Sequence, residues 1–445
     1  MINTKELDLL REALTKLEQG ADALPAFTPG FDTDEAAAVL GEVARRMQDN
    51  FPYYHPQYAG QMLKPPHPVA RMAYALSLWI NPNNHALDGG RASSAMEKEC
   101  IVELGRLFGW NAPLGHLTSG GTMANLEALW VAGRLAPGRK VIASQMAHYT
   151  HSRITEVLGI PFDDVVVDER GRMDLAAVEQ RLAAGDVGTI VVTVGTTGLG
   201  AADPLPDILA LRKRYEFRVH VDAAYGGYFG LASELDAETR AVYAALGEAD
   251  SIVIDPHKHG LQPYGCGCVL FGDPSVGAFY KHDSPYTYFS SGDLHLGEIT
   301  LECSRAGASA VALWATQRLL PMTPGGEFAN GLDACLRAAR GLWRSLHNSS
   351  AFTPLVEPQL DIVTYVVNAT TGSEASERAH EIFDEAAKRQ LHLALIELPA
   401  DFVRRYAPDI EADSETITCL RSVLMKPEHE EWLERLTALL EASAR

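Results

Sequence analysis

Six short runs rich in β-branched and other apolar residues recur between residues 140 and 272: KVIASQ (140–145), DVVVDE (164–169), TIVVTVG (189–195), RVHVDAA (218–224), SIVIDP (251–256) and GCVLFG (267–272). Between them lie stretches such as MDLAAVEQRLAAG and PLPDILALRKRY, whose apolar residues fall at helical spacing. This alternation is restrictive. Parallel strands cannot be joined by a tight turn and need a crossover, usually a helix. The pattern therefore predicts an α/β fold with a central, mostly parallel sheet flanked by helices on both faces. The runs are apolar almost throughout, as strands buried on both faces are.

On either side the pattern changes. Residues 1–50 read as helical, with Leu9, Leu10, Leu14 and Leu17 near helix spacing. Residues 51–92 include FPYYHPQYAGQMLKPPHP and NPNNHALDGG, irregular and rich in Pro, His, Asn and aromatics, which points to a functional surface more than a linker. Past residue 304, GASAVALWATQRLL and EFANGLDACLRAARGLWRSL read as long helices. Residues 355–445 read as a smaller α+β unit, with strands near LDIVTYVV and TITCLRSVL and a closing helix EEWLERLTALLEA. The expected division is an N-terminal helical and extended segment 1–92, a large α/β domain 93–345 and a small C-terminal α+β domain 346–445. No internal repeat is evident.

The 445 residues carry 58 acidic and 38 basic side chains, a formal charge of −20. Such a field disfavours nucleic acid and anionic membranes as partners. The opening MINTKELDLLREALTKLEQG reads as an amphipathic helix, not a signal peptide. No stretch approaches the ~18 apolar residues of a membrane span. A cytoplasmic protein is the expectation. Cys100, Cys266, Cys268, Cys303, Cys335 and Cys419 form no paired Cys-x-x-Cys sets, so neither a zinc site nor a disulfide framework is expected.

Three stretches carry chemistry. In TSGGTMAN (118–125), Gly120 and Gly121 let backbone N–H groups approach an anion, the helix that follows adds its dipole, and Thr122 adds a hydroxyl. Alone, a Gly-Gly turn before a helix is usually only a turn, and the Gly-Lys-Ser/Thr ending of a P-loop is missing. In HVDAAYGG (220–227), Asp222 ends a strand, where open parallel sheets bind ligands. Its carboxylate suits a protonated ring nitrogen, and Ala223 and Ala224 leave room for a flat ring. In SIVIDPHKHG (251–260), Lys258 follows a buried strand by a few residues, and a desolvated amine is a nucleophile toward an aldehyde. Taken singly, most aspartates cap turns and most lysines face water. Together, a phosphate cradle, a carboxylate for a ring nitrogen and a buried lysine are what pyridoxal phosphate (PLP) requires.

Other motifs fall in order around these: HPQYAGQM, SSAMEKECIVELGRLFGW, AHYTHSRITEVLGI, VGTTGLGAADP, LGEITLECSRAGASAVALWA and TCLRSVL. In them the sequence resembles the PLP-dependent group II amino-acid decarboxylases of the aromatic-L-amino-acid and glutamate decarboxylase type, from about residue 50 onward. The resemblance implies the aspartate aminotransferase fold (fold type I), PLP as cofactor, and decarboxylation of an L-amino acid to an amine and carbon dioxide. It also implies a homodimer with shared active sites, to which residues 1–92 contribute. Lys258 matches the Schiff-base lysine, Asp222 the partner of the ring nitrogen, and His148 the imidazole stacked on the ring. Gly120, Gly121 and Thr122 match the phosphate turn with His257 nearby, while Thr197 and Ala224 match positions lining the ring. Tyr288, in SPYTYFSSGDLHLGE (284–298), matches a loop tyrosine that the neighbouring subunit supplies to protonate the substrate carbon, with Tyr286 a close competitor. Arg305 matches a recurring arginine, structural or functional with equal weight.

Two departures bear on this resemblance. Asp255 stands three residues before the lysine, where some relatives place an amide near the phosphate. A phosphate dianion repels a carboxylate, so Asp255 is expected to turn away and brace the loop. The stretch ALDGGRASSAMEKE differs from the aromatic decarboxylases, which weighs against an aromatic substrate. Tyr58, Met62, Asn83, Asn84, His85 and Arg91 are candidates for a side-chain pocket. The alternative reactions are a PLP-dependent carbon–carbon (aldehyde) lyase, which HKHG followed by PYGCG also resembles, and aminotransfer, ranked lower. A non-catalytic binding module is disfavoured by the joint presence of Lys258, Asp222 and His148.

Overall fold

The computed structural model describes residues 3–25, 27, 30–281, 297 and 300–445. Seven strands form one sheet: β1 (Leu114–Thr118), β2 (Lys140–Ser144), β3 (Phe162–Val165), β4 (Val187–Thr193), β5 (Arg218–Asp222), β6 (Ser251–Ile254) and β7 (Gly267–Phe271). Their order is β1-β7-β6-β5-β4-β2-β3. The five strands from β3 to β6 across the sheet run parallel. β7 is antiparallel to β6, and β1 is antiparallel to β7. Five of the six runs singled out in the sequence hold β2 and β4 to β7, and the mostly parallel sheet is borne out; the run 164–169 overlaps β3 only at Asp164 and Val165, because β3 is the half-exposed FDDV that pairs with β2 at the sheet edge. β1 escapes the pattern because LGHLT is interrupted by Gly115 and His116. The His116 ring is nevertheless buried, with Nε2 2.8 Å from Glu127 and Nδ1 2.6 Å from the Leu117 carbonyl.

Every residue of β4, β6 and β7 is buried. Burying an aliphatic side chain of this size contributes roughly 1.5–3 kcal/mol. A sheet with both faces covered thus concentrates the driving force of the large domain. The helices α1 (Thr4–Gln19), α2 (Thr33–Met47), α3 (Pro68–Ser77) and α4 (Leu87–Leu107) precede the sheet, α5 (Gly121–Leu135) follows β1, and α6 (Thr150–Leu158) follows β2. A second, antiparallel sheet holds β8 (Phe352–Pro354), β9 (Ile362–Val367), β10 (Ala394–Pro399) and β11 (Thr416–Val423), in the order β10-β11-β9-β8. The helices Glu327–Leu346, Gly372–Lys388 and His429–Ser443 close a separate core on it through residues such as Leu342, Ile382 and Leu436.

Among the described residues of the first 50, two helices form, neither of which buries a residue within the chain. An Arg71–Glu6 pair at 2.8 Å ties α1 to α3. Val39, Leu40, Val43 and Met47 of α2, and Leu78, Trp79 and Ile80 after α3, present exposed apolar surface. Among the described residues no helix is long and apolar enough to cross a membrane.

Two reversals of direction return β1 to the same sense as β6, so the chain leaving β1 emerges at the edge where the parallel strands end. The approach is close. A Cβ on Gly267 of β7 would stand 2.5 Å from the Gly120 carbonyl carbon and 2.6 Å from the Thr118 hydroxyl. Gly267→Ala is expected to destabilise the fold by about 1–3 kcal/mol through this overlap, and to weaken PLP uptake by the apoprotein as the turn shifts. A thermal melt and a PLP titration both superimposable on wild type would contradict this packing.

Candidate active site

The strand ends surround a cavity of about 370 Å³. It lies at the carboxyl edge of the parallel strands, near where the chain passes outward from β2 to β3 and then back across β2 to β4. Such a switch in strand order opens a crevice for ligands. The nine residues expected around the cofactor, Gly120, Gly121, Thr122, His148, Thr197, Ala224, Asp222, His257 and Lys258, all line it. Tyr288 and its competitor Tyr286 lie outside the described residues.

Asp222 ends β5 and is 5 % exposed. Its Oδ1 accepts the Ala224 N–H at 3.1 Å. Its Oδ2 lies 2.8 Å from His151 Nε2 and 3.3 Å from Asn125 Nδ2. An ionised carboxylate only accepts hydrogen bonds, so His151 Nε2 carries the proton. Burial would raise the Asp222 pKa. The hydrogen bond and charge of His151, with the charge of Lys258 and the Ala224 N–H, outweigh that and hold the carboxyl well below the usual carboxylate range. Behind Asn125, His220 Nε2 meets its Oδ1 at 2.8 Å, and Ser251 Oγ meets His220 Nδ1 at 2.8 Å.

Lys258 sits on the loop between β6 and β7. This loop is tied at both ends, because His257 donates its backbone N–H to the Cys266 carbonyl at 3.1 Å and its Nδ1 lies 2.8 Å from the same oxygen. Lys258 Nζ stands 3.1 Å from Asp255 Oδ2. Asp255 does not turn away as expected: it lines the cavity, with Oδ2 also 3.6 Å from His257 Nε2. The local reason is the ammonium, an opposite charge that a carboxylate three residues earlier reaches readily. A Cβ on Gly121 would come within 2.7 Å of the same Asp255 oxygen, so glycine makes room for that carboxylate.

On the opposite side, the first intrahelical bond of α5 runs from Ala124 N to the Gly120 carbonyl at 3.1 Å. The N–H groups of Gly121, Thr122 and Met123 precede it and are without a helical acceptor. His148 stands before α6, its Nδ1 2.7 Å from the Thr150 hydroxyl. Burial, set against the Asp222 charge and reinforced by that of Lys258, lowers the His148 pKa. Thr197 is held from the small domain by Arg421 of β11, which donates to its carbonyl at 2.8 Å. This donor set fits PLP: free amides and a hydroxyl for a phosphate, an imidazole and Ala224 for a ring, an amine for an aldehyde and a carboxylate for a ring nitrogen. Thr193 Oγ1 and Asp255 Oδ1, both buried on the cavity wall without a partner, suit a polar occupant.

Asn125, His151 and Tyr264 around this site were not among the residues expected from the sequence. His151 carried a signal, since in AHYTHS it lies three residues after His148, one helical turn on. Arg305 is a brace and does not line the cavity. Its guanidinium binds buried Glu97 at 2.7 Å, the Leu117 carbonyl at 2.7 Å and the Asn84 carbonyl at 3.2 Å. The pocket candidates Tyr58, Met62, Asn83, Asn84, His85 and Arg91 do not line this cavity either. Asn84 is committed to Glu97 at 2.6 Å, and Tyr58 is buried under Lys426, whose Nζ lies 5.3 Å from its ring.

The fold and site define a class, the PLP-binding α/β enzymes. The family model of the pyridoxal-dependent decarboxylase conserved domain matches residues 32–368. The chain is 30% identical over 329 residues to a probable L-tyrosine/L-aspartate decarboxylase of Methanothermobacter thermautotrophicus, covering 73% of this chain and 86% of the relative. It is 27% identical to the L-tyrosine decarboxylase of Enterococcus faecium, covering 80% and 76%. In fold it is similar to Oryza sativa TDC, solved with PLP and tryptamine, at a TM-score of 0.79, 16% identity and coverage of 99% and 96%. The chain belongs to the pyridoxal-dependent decarboxylases. It is a PLP-dependent amino-acid decarboxylase, hence a carboxy-lyase.

The hydrogen-bond chain behind Asp222 has a consequence for pH. Burial, reinforced by His151, brings the His220 pKa down to about 3, against about 6.5 in an unfolded chain. Between those values the unfolded chain binds a proton that the folded chain refuses. The stability contributed by neutral His220 is therefore present above about pH 6.5 and lost as pH falls through the window. Urea unfolding is expected to show stability declining from pH 6.5 toward pH 4, with a shallower decline in His220→Gln. Equal slopes in the two proteins would refute the assignment.

Proposed function

We propose that the cavity holds PLP on Lys258 and decarboxylates an L-amino acid, releasing an amine and carbon dioxide. One observation supports the reading: Asp222, at the end of β5, and Lys258, on the loop that follows the adjacent parallel strand β6, open into one cavity with the N-terminus of α5. Bound PLP supplies an aldehyde carbon that condenses with amines and a cationic ring that accepts the electron pair left when carbon dioxide departs.

The chain's own groups do the rest. The α5 amides and Thr122 anchor the phosphate. Lys258, held beside Asp255, would supply the amine that condenses with the PLP aldehyde with release of water. Asp222 keeps a proton on the ring nitrogen, since an anion at that position favours the charged ring. His148 and Ala224, which line the cavity, would hold the ring of bound PLP. The proton returned to the substrate carbon is assigned to Tyr288 on sequence likeness alone.

The exposed apolar surface of α2 and of residues 78–80 supports a homodimer, because patches of this kind mark contacts. The family relatives make L-tyrosine and L-aspartate the first compounds to assay, within a pool of amino acids whose amine products are identified by mass spectrometry.

Lys258→Ala is expected to abolish turnover and the absorbance of covalently bound PLP, and wild-type amine formation by that variant would overturn the reading. Tyr288→Phe is expected to lower kcat by about 10²-fold or more with the bound-PLP absorbance unchanged. If only Tyr286→Phe has this effect, the donor is Tyr286.

A further inference from the structure

We infer that His151 is a positioning residue for the reaction: by donating Nε2–H to Asp222 Oδ2 it keeps that carboxylate ionised and aimed at the ring nitrogen of bound PLP. This rests on the reading of Asp222 as the ring-nitrogen partner. His151 lies in the first turn of α6, is 1 % exposed, and reaches Asp222 at 2.8 Å. Its other nitrogen, Nδ1, is buried and has no partner. Among the described residues, the hydrogen bond to Asp222 is therefore the one polar contact of the ring, and a buried imidazole with a single contact points to that contact as its purpose.

The surroundings agree. Ser251, His220 and Asn125 form a row of donors, each passing a hydrogen bond toward Asp222, and the row ends on Oδ2 beside His151. Oδ1 is engaged by the Ala224 N–H. Both oxygens are thus fixed from the protein side, and the carboxylate plane cannot rotate away from the cavity it lines. Asn125, at 3.3 Å, makes the longer of the two contacts to Oδ2, and its oxygen is already engaged by His220. The charged and titratable groups facing Asp222 are His151 from α6, His148 from the loop before it, Lys258 from the loop after β6, and His220 within its own strand.

The experiment uses ¹⁵N-labelled PLP and reads the protonation of its ring nitrogen by NMR at neutral pH, together with the PLP dissociation constant of the apoprotein. His151→Phe is expected to lower the protonated fraction and weaken PLP binding by about 10- to 100-fold, as loss of a hydrogen bond to a charged group does. His151→Gln, which retains a donor of similar reach, is expected to restore both. A ring nitrogen and an affinity unchanged in His151→Phe would overturn the proposal, and so would a loss that His151→Gln does not repair. Asp222→Asn is the control. If it shifts the ring nitrogen while His151→Phe does not, only the present inference fails; if it shifts nothing, the reading of Asp222 fails. Should His151→Phe not fold, ¹⁵N-histidine-labelled wild type decides. The His151 Nε2–H resonance must move when PLP is added to the apoprotein, and an unmoved resonance overturns the proposal.

Discussion

The whole site depends on a negative charge kept where water hardly reaches. A carboxylate in such a place must be surrounded by donors or give up its charge. Asp222 is surrounded: α5 contributes Asn125, α6 contributes His151, and the turn after its own strand contributes the Ala224 N–H. These groups come from three separate crossings of the chain. They meet because parallel strands finish at one edge, where each crossover begins.

That edge also explains why the sheet is not wholly parallel. β7 runs back along β6, and β1 runs back along β7, so the Gly120–Gly121 turn arrives beside the lysine loop although the two are far apart in sequence. Amides that favour an anion and an amine that seeks an aldehyde thus face one space. The small domain touches the same space indirectly through Arg421, whose hydrogen bond to the Thr197 carbonyl links β11 to the cavity wall.

The parallel core was legible because it is written in local pattern. Buried strands are apolar runs, and β2 and β4 to β7 follow that rule, whereas β3 (FDDV) at the sheet edge does not. β1 was illegible because its identity comes from pairing with β7, and β8 and β10 likewise owe their structure to partners distant in sequence. The cavity residues were legible where a residue type is demanded by chemistry, as with Lys258, Asp222 and Gly121. Asp255 faces the cavity because the Lys258 ammonium, 3.1 Å away, attracts it, and nothing in the local pattern of DPHK distinguishes that attraction from repulsion by a phosphate. His151 was passed over because residues behind the cavity have no chemical signature of their own; only the distance to Asp222 reveals them. The loop tyrosines belong to a stretch outside the described residues, and their assignment still rests on likeness.

The loop carrying Lys258 is stitched to the sheet at both its beginning and its end, through β6 and through the two His257 contacts to Cys266. A coenzyme bonded there is moored to the stiffest part of the molecule. Its reactive carbon would then be placed by the central sheet, while the smaller lobe meets the cavity wall through the Arg421 hydrogen bond to the Thr197 carbonyl.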